Sequence, residues 1–155
     1  MSIYLVVKTL HILSSTILFG TGVGIAYFFL RSHYSKNLHE KYFASRNTVI
    51  ADYLFTLPAV VIQPLSGFWL VLHGGFNWLD SWLVTSYFLF AITAVCWLPV
   101  VWIQIQLKNL VANSLQQGSE LPASYTQLFR LWTGLGIPAF LALIVTFFLM
   151  VLKPV

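Results

Sequence analysis

An all-α fold, an up-and-down bundle of four membrane-spanning helices, is what this sequence predicts. Three observations predict it. Of 155 residues, 59% are hydrophobic and 8% are charged, where a soluble domain carries about 25% charged residues. The apolar residues gather into four stretches, each near the roughly 20 residues that a bilayer core requires. The connections are short, which makes successive helices antiparallel neighbours. A soluble fold of this size would leave oversized apolar patches in water, so a cytosolic enzyme is excluded, as are a disordered chain and a disulfide scaffold. The whole chain, 1–155, reads as one transmembrane domain.

The first span runs from about residue 3 to 30. It lacks the positive n-region of a signal peptide and outruns the usual h-region, so it reads as a retained helix. The second covers about 49–72, the third about 82–107 and the fourth about 129–152. Pro58 and Pro64 in the second, Pro99 in the third and Pro138 in the fourth predict kinks, because each removes a backbone hydrogen bond. Gly20 and Gly24 form a small-xxx-small pair that suits close helix approach. The lone Cys96 reads as a small buried hydrophobe.

The connection from Arg31 to Thr48 is polar and basic, His73 to Ser81 is short, and Lys108 to Leu128 is polar, with Gly118 and Pro122 as breakers. The net charge of +4 is concentrated at one end, in Arg31, Lys36, Lys41, Arg46, Lys108 and Arg130. The positive-inside rule then puts both termini outside the cytoplasm, in a multi-pass membrane protein. Trp78 and Trp82 would mark the outer interface and Tyr125 and Trp132 the inner one. No continuous basic face suggests nucleic acid. The expected partners are the bilayer and a second copy or another membrane protein.

Polar groups within hydrocarbon are costly and each needs a reason. Lys8 and His11 are three apart and share a helix face, which Ser15 and Gly22 continue. The second span has a stripe of Asp52, Thr56, Ala59, Gln63 and Ser66, and the third one of Ser86, Thr93, Trp97 and Gln104. Counted from the outer boundary at 1.5 Å per residue, His11 lies about 10 Å deep and Gln63 about 13 Å deep. Lys8, His11, Gln63 and Ser86 are therefore expected to share a polar chamber and to form a cofactor-binding set. Arg31 and Asp52 are expected to pair at the opposite end. His73 falls at the rim, and His33 and His39 fall in the solvated basic connection. His11 stands apart, since an imidazole deep in an apolar helix suits an axial haem ligand or a proton carrier. No HExxH, CxxC, phosphate loop or GxSxG is present.

At Lys8-Thr9-Leu10-His11 the chain resembles a bacterial family of small four-helix membrane proteins of unknown function. The likeness extends through Ala51-Asp52-Tyr53-Leu54-Phe55, Pro58, Gln63-Pro64-Leu65, Gly67 and Trp97-Leu98-Pro99-Val100-Val101-Trp102. More distantly it is similar to the HemJ-type protoporphyrinogen oxidases and the copper-resistance D proteins. The first helix of the HemJ-type enzymes carries a K-x-x-H element and supplies an important histidine. Their chain ends in V-K-P, which Leu152-Lys153-Pro154 resembles. The resemblance implies haem b, with His11 as the ligand of its iron. Those enzymes carry a lysine early in the third helix, where this chain has Trp82-Leu83-Val84-Thr85-Ser86. The expectation is thus a haem-binding, HemJ-like redox protein whose catalytic residues the sequence does not name. The alternatives are a non-catalytic subunit, assembly factor or scaffold and, third, a small-solute or ion transporter.

Overall fold

A computed structural model describes residues 2–154. Among the described residues there are helices and no strands. Four helices are long and apolar enough to cross a membrane: α1 (Ile3–His33), α2 (Leu38–Gly74), α3 (Ser81–Gln117) and α4 (Ala123–Leu152). Large apolar side chains such as Leu10, Phe28, Leu65, Phe88, Leu98 and Phe148 point outward from all four. In lipid that exposure carries no hydrophobic penalty, so the helices are held together by close packing and buried polar contacts instead.

The helices outrun the apolar stretches, because the polar connections fold as helical extensions. Only Tyr34–Asn37 separates α1 from α2. Asn37 caps α2, its side chain accepting from the His39 backbone N–H at 2.9 Å, and Glu40 lies in the first turn. At the far end of α2, Gly75 takes the left-handed conformation (φ 71), and Gly118 (φ 60) does the same after α3. These are the glycine stops that let a helix end cleanly. Lys41, expected among solvated basic residues, is only 7% exposed. Its ammonium group donates to the backbone carbonyls of Ser32 (3.1 Å) and His33, and so caps the otherwise unpaired C-terminus of α1.

α1 packs along α2 and α3 along α4, while the first part of α2 also lies against α3. The backbones of α1 and α4 come close at few points, and these helices meet through side chains. Two apolar clusters tie these hairpins together. One, at the end bearing the basic residues (the basic end), joins Phe29 to Ile103, Leu107, Phe129 and Trp132. Phe29 is 0% exposed and meets the rings of Phe129 and Trp132 edge-on at 5.4 and 5.0 Å. The other, at the end bearing the termini, is built on Val71, Trp82 and Leu83. Between the clusters the bundle is hollow.

Three expectations are corrected here. Tyr125, Trp132 and Trp82 are buried in the bundle instead of lying in interfacial belts; Trp78 remains exposed. The cause is the pair of aromatic clusters, which give those rings more contacts than a lipid interface would. His33 is half-buried instead of fully solvated: it stacks on Phe129 at 3.9 Å and 13°. A Cβ at Gly20 or Gly24 would meet nothing within 4 Å, so no helix approaches closely there.

The largest departure from straight helix is in α2. Residues Asp52–Thr56 form a π-helical turn, in which the Leu57 N–H reaches back to Asp52 O. Pro58 supplies a cause. It has no N–H for the Leu54 carbonyl and its ring crowds that oxygen, and a widened turn relieves both. The extra residue turns Asp52 inward, where it is 4% exposed. Arg31 is exposed on the outside of α1, and Asp52 Oδ2 has no partner, so the expected Arg31–Asp52 pair does not form.

Candidate functional site

The helices enclose a chamber of about 410 Å3 near the end bearing the termini. Lys8, His11 and Ser15 reach it from α1, Gln63 and Gly67 from α2, and Thr146, Met150 and Lys153 from α4 and its end. Apolar and aromatic side chains, among them Phe76, Leu83 and Phe147, make up most of the remaining wall.

His11 is held from two sides. Its Nδ1 lies 2.8 Å from Ser66 Oγ. That hydroxyl has one proton and lies 2.6 Å from the Ile62 carbonyl, to which it donates. It therefore accepts from Nδ1–H, which fixes the tautomer with Nε2 unprotonated. Among the described residues, no hydrogen bond engages Nε2, and the ring borders the chamber. The ring lies flush against α2 because residue 67 is glycine: a Cβ there would stand 3.2 Å from His11 Cε1. Gln63 completes the clamp, its Nε2 donating to His11 O at 2.7 Å and to Ser14 Oγ at 2.6 Å.

Such interhelical bonds contribute modestly in membranes, since the separated helices find other partners. Gln63→Leu is expected to cost about 1 kcal/mol, measured as reversible unfolding in mild detergent. An unchanged midpoint would show that the clamp adds nothing to α1–α2 docking.

Of the residues expected to share this site, Lys8, His11 and Gln63 come together. Ser86 does not: it is buried, its hydroxyl donates to Trp82 O at 2.6 Å, and it is absent from the chamber wall. A serine one turn after a carbonyl readily bonds back to its own helix. His73 stacks on Trp69 at 4.0 Å, bonds Trp69 O through Nδ1 and lies outside the wall. Ser66, Gly67, Met150 and Lys153 were missed as site residues. Ser66 was visible on the polar stripe of α2, whereas no sequence signal joined Lys153 to His11. Lys153 closes α4 with its Nζ 4.6 Å from the Phe76 ring centre and 5.5 Å from that of Trp82, within cation–π range. No cluster of three or more His, Cys, Asp or Glu side chains is placed to hold a metal ion among the described residues.

A family profile described as "Predicted integral membrane protein (DUF2269)" matches residues 5–154. The chain belongs to this family. No curated protein and no solved structure matches it. This DUF2269 protein is thus a multi-pass integral membrane protein with four spanning helices. One apolar chamber is bordered by an oriented, half-buried imidazole and by two lysines that are otherwise exposed.

Proposed function

We propose that the chamber beside His11 binds haem b and that the protein is a redox-active membrane haem protein. The observation that carries this reading is the orientation of His11. Nδ1–H donated to a fixed oxygen and a free Nε2 is the arrangement that haem-ligating and metal-ligating histidines adopt. The volume, about 410 Å3, falls within the roughly 300–1,000 Å3 of cofactor-sized sites. The wall is apolar and aromatic, and its cations, Lys8 and Lys153, suit a pair of propionate carboxylates. Met150 on α4 borders the same chamber and offers a thioether as a second ligand. When bound, haem supplies reversible one-electron chemistry at iron. The chain's own residues supply the rest: Ser66 sets the tautomer of His11, Gln63 holds its backbone, Gly67 gives the ring room, and the apolar wall excludes water. The K-x-x-H resemblance to HemJ-type enzymes at Lys8 and His11 points the same way. With the basic end toward the cytoplasm of a bacterial inner membrane, the chamber lies in the outer leaflet.

Absorption spectroscopy tests this directly. Protein expressed with haem supplementation and purified in mild detergent is expected to show a Soret band at about one haem per chain, and His11→Ala is expected to lose it. No band in the parent protein, together with a well-folded His11→Ala variant, would discard the haem reading and favour a non-catalytic membrane subunit or scaffold.

A further inference from the structure

A second chamber, of about 420 Å3, adjoins the first toward the basic end, with Leu18, Phe90 and Leu143 in both walls. Its wall is mostly apolar; Thr93 and Thr133 bond back to their own helices, and the remaining polar groups form one belt of Asp52, Thr56, Trp97, Gln104 and Trp132. Each of these contributes a buried polar atom without a hydrogen-bond partner: Asp52 Oδ2, Thr56 Oγ1, Trp97 Nε1, Gln104 Oε1 and Trp132 Nε1. They are five of the seven such atoms found among the described residues. Asp52, Thr56, Gln104 and Trp132 are each more than nine-tenths buried. Unpaired buried polar groups are costly wherever they occur, and native interiors hold few. Thr56, Trp97 and Gln104 face the Asp52 carboxyl yet none closes a hydrogen bond to it, so their concentration on one cavity suits a polar ligand group set among them. The π-helical turn carries two of them, Asp52 and Thr56, and such turns recur at functional sites.

The opposite side of the chamber faces lipid. Ala26 and Leu30 of α1 and Ile137 and Leu141 of α4 line it and are also exposed on the outer surface. On this side the backbones of α1 and α4 come close at few points, and the two helices meet through aromatic side chains, Phe19 against Phe140 and Phe147. A molecule dissolved in the bilayer can enter here without crossing water.

The belt defines the head group. Indole N–H groups only donate: that of Trp132 has no acceptor among the described residues, and that of Trp97 faces the Asp52 carboxyl without closing a bond to it, so an acceptor oxygen between them serves both. Gln104 Oε1 and the Asp52 carboxyl require a donor such as a hydroxyl. No Lys, Arg or His lines the chamber to balance an anion. An amine would satisfy Asp52 and leave both indoles unpaired. We propose that this chamber binds a lipophilic molecule, entering between α1 and α4, whose uncharged oxygen-bearing ring is of the quinone or quinol type. Its carbonyl oxygen accepts from the indoles, and in the quinol form its hydroxyl donates to Asp52 or Gln104. The inference does not depend on what the His11 chamber holds.

The test uses the full chain in lipid nanodiscs, with ligand-induced thermal stabilisation as the readout. Decylubiquinone is expected to give a saturable shift. Decylbenzene, with the same tail and no oxygen, and decylamine are expected to bind at least about tenfold more weakly, as one lost buried hydrogen bond requires. Trp97→Phe keeps the ring and removes the donor, and is expected to weaken the quinone about tenfold. Gly136→Leu fills the chamber from a position where a Cβ meets nothing within 4 Å, and is expected to abolish the shift while the protein stays folded. His11→Ala is expected to leave it in place. A non-saturable shift, equal binding of decylbenzene or decylamine, or full affinity in both Trp97→Phe and Gly136→Leu would overturn the proposal.

Discussion

Gly67→Leu is expected to displace the His11 ring and, on the proposed haem reading, to abolish the Soret band as completely as His11→Ala does. Even the first carbon of a side chain at this position would lie 3.2 Å from His11 Cε1 and 3.8 Å from Nδ1. The ring can yield only toward the chamber, and doing so draws Nδ1 away from Ser66 on the same helix as Gly67. A leucine therefore has to push the imidazole off α2, breaking the Ser66 bond and the tautomer lock. Overpacking of this kind costs about 1–3 kcal/mol, so the bundle should survive with a lowered midpoint while any Soret band is lost. Gly20→Leu is the matched control, since a Cβ there meets nothing within 4 Å; it should keep both the fold and the spectrum. Retention of a parent-like band in Gly67→Leu would mean that His11 is not the iron ligand.

Lys41→Met should be the most damaging of the charge substitutions. The ammonium group is buried against the backbone carbonyls of Ser32 and His33, where α1 ends and its dipole is negative. It also lies 5.4 Å from the Tyr125 ring centre, so it links the α1–α2 corner to α4. Each hydrogen bond to a charged group contributes about 1.5–3 kcal/mol, and part of the sum is offset by the desolvation of the ammonium. The expected net loss is about 2–3 kcal/mol, read as a lowered unfolding midpoint in detergent. Lys36→Met, at an exposed position of the same connection, should change stability by less than about 0.5 kcal/mol. Equal effects of the two would show that Lys41 acts only through net charge. Both lysines belong to the basic residues used to orient the bundle, so topology mapping should accompany the measurement.

Both effects depend on who stands opposite whom, and that is where the sequence is least informative. Its polar stripes indicate an angle around each helix axis. The stripe of Asp52, Thr56, Ala59, Gln63 and Ser66 indeed faces inward, with all but half-buried Gln63 buried. Yet an angle does not name a neighbour. Ser86 lies on its expected inner face and still bonds its own helix. Asp52 was matched to Arg31 by depth alone, whereas the π-helical turn aims it at Thr56, Trp97 and Gln104 instead. A local widening of one turn is not a property that periodicity can carry, since it arises from one proline ring meeting one carbonyl.

From the sequence by itself came the membrane class, the four spans, the inward stripes and the placement of His11 on an inward face. Each of these follows from local quantities: hydropathy over a bilayer thickness and spacing along a helix. The two chambers, the Ser66 lock on His11, the burial of Lys41 and the arrival of Lys153 at the same chamber as a histidine 142 positions earlier were decided only by the tertiary structure. They depend on how two helical hairpins, closed at both ends by aromatic and aliphatic clusters, stand apart between them. Side-chain volumes drawn from distant parts of the chain set that gap, and no window along the sequence contains them together.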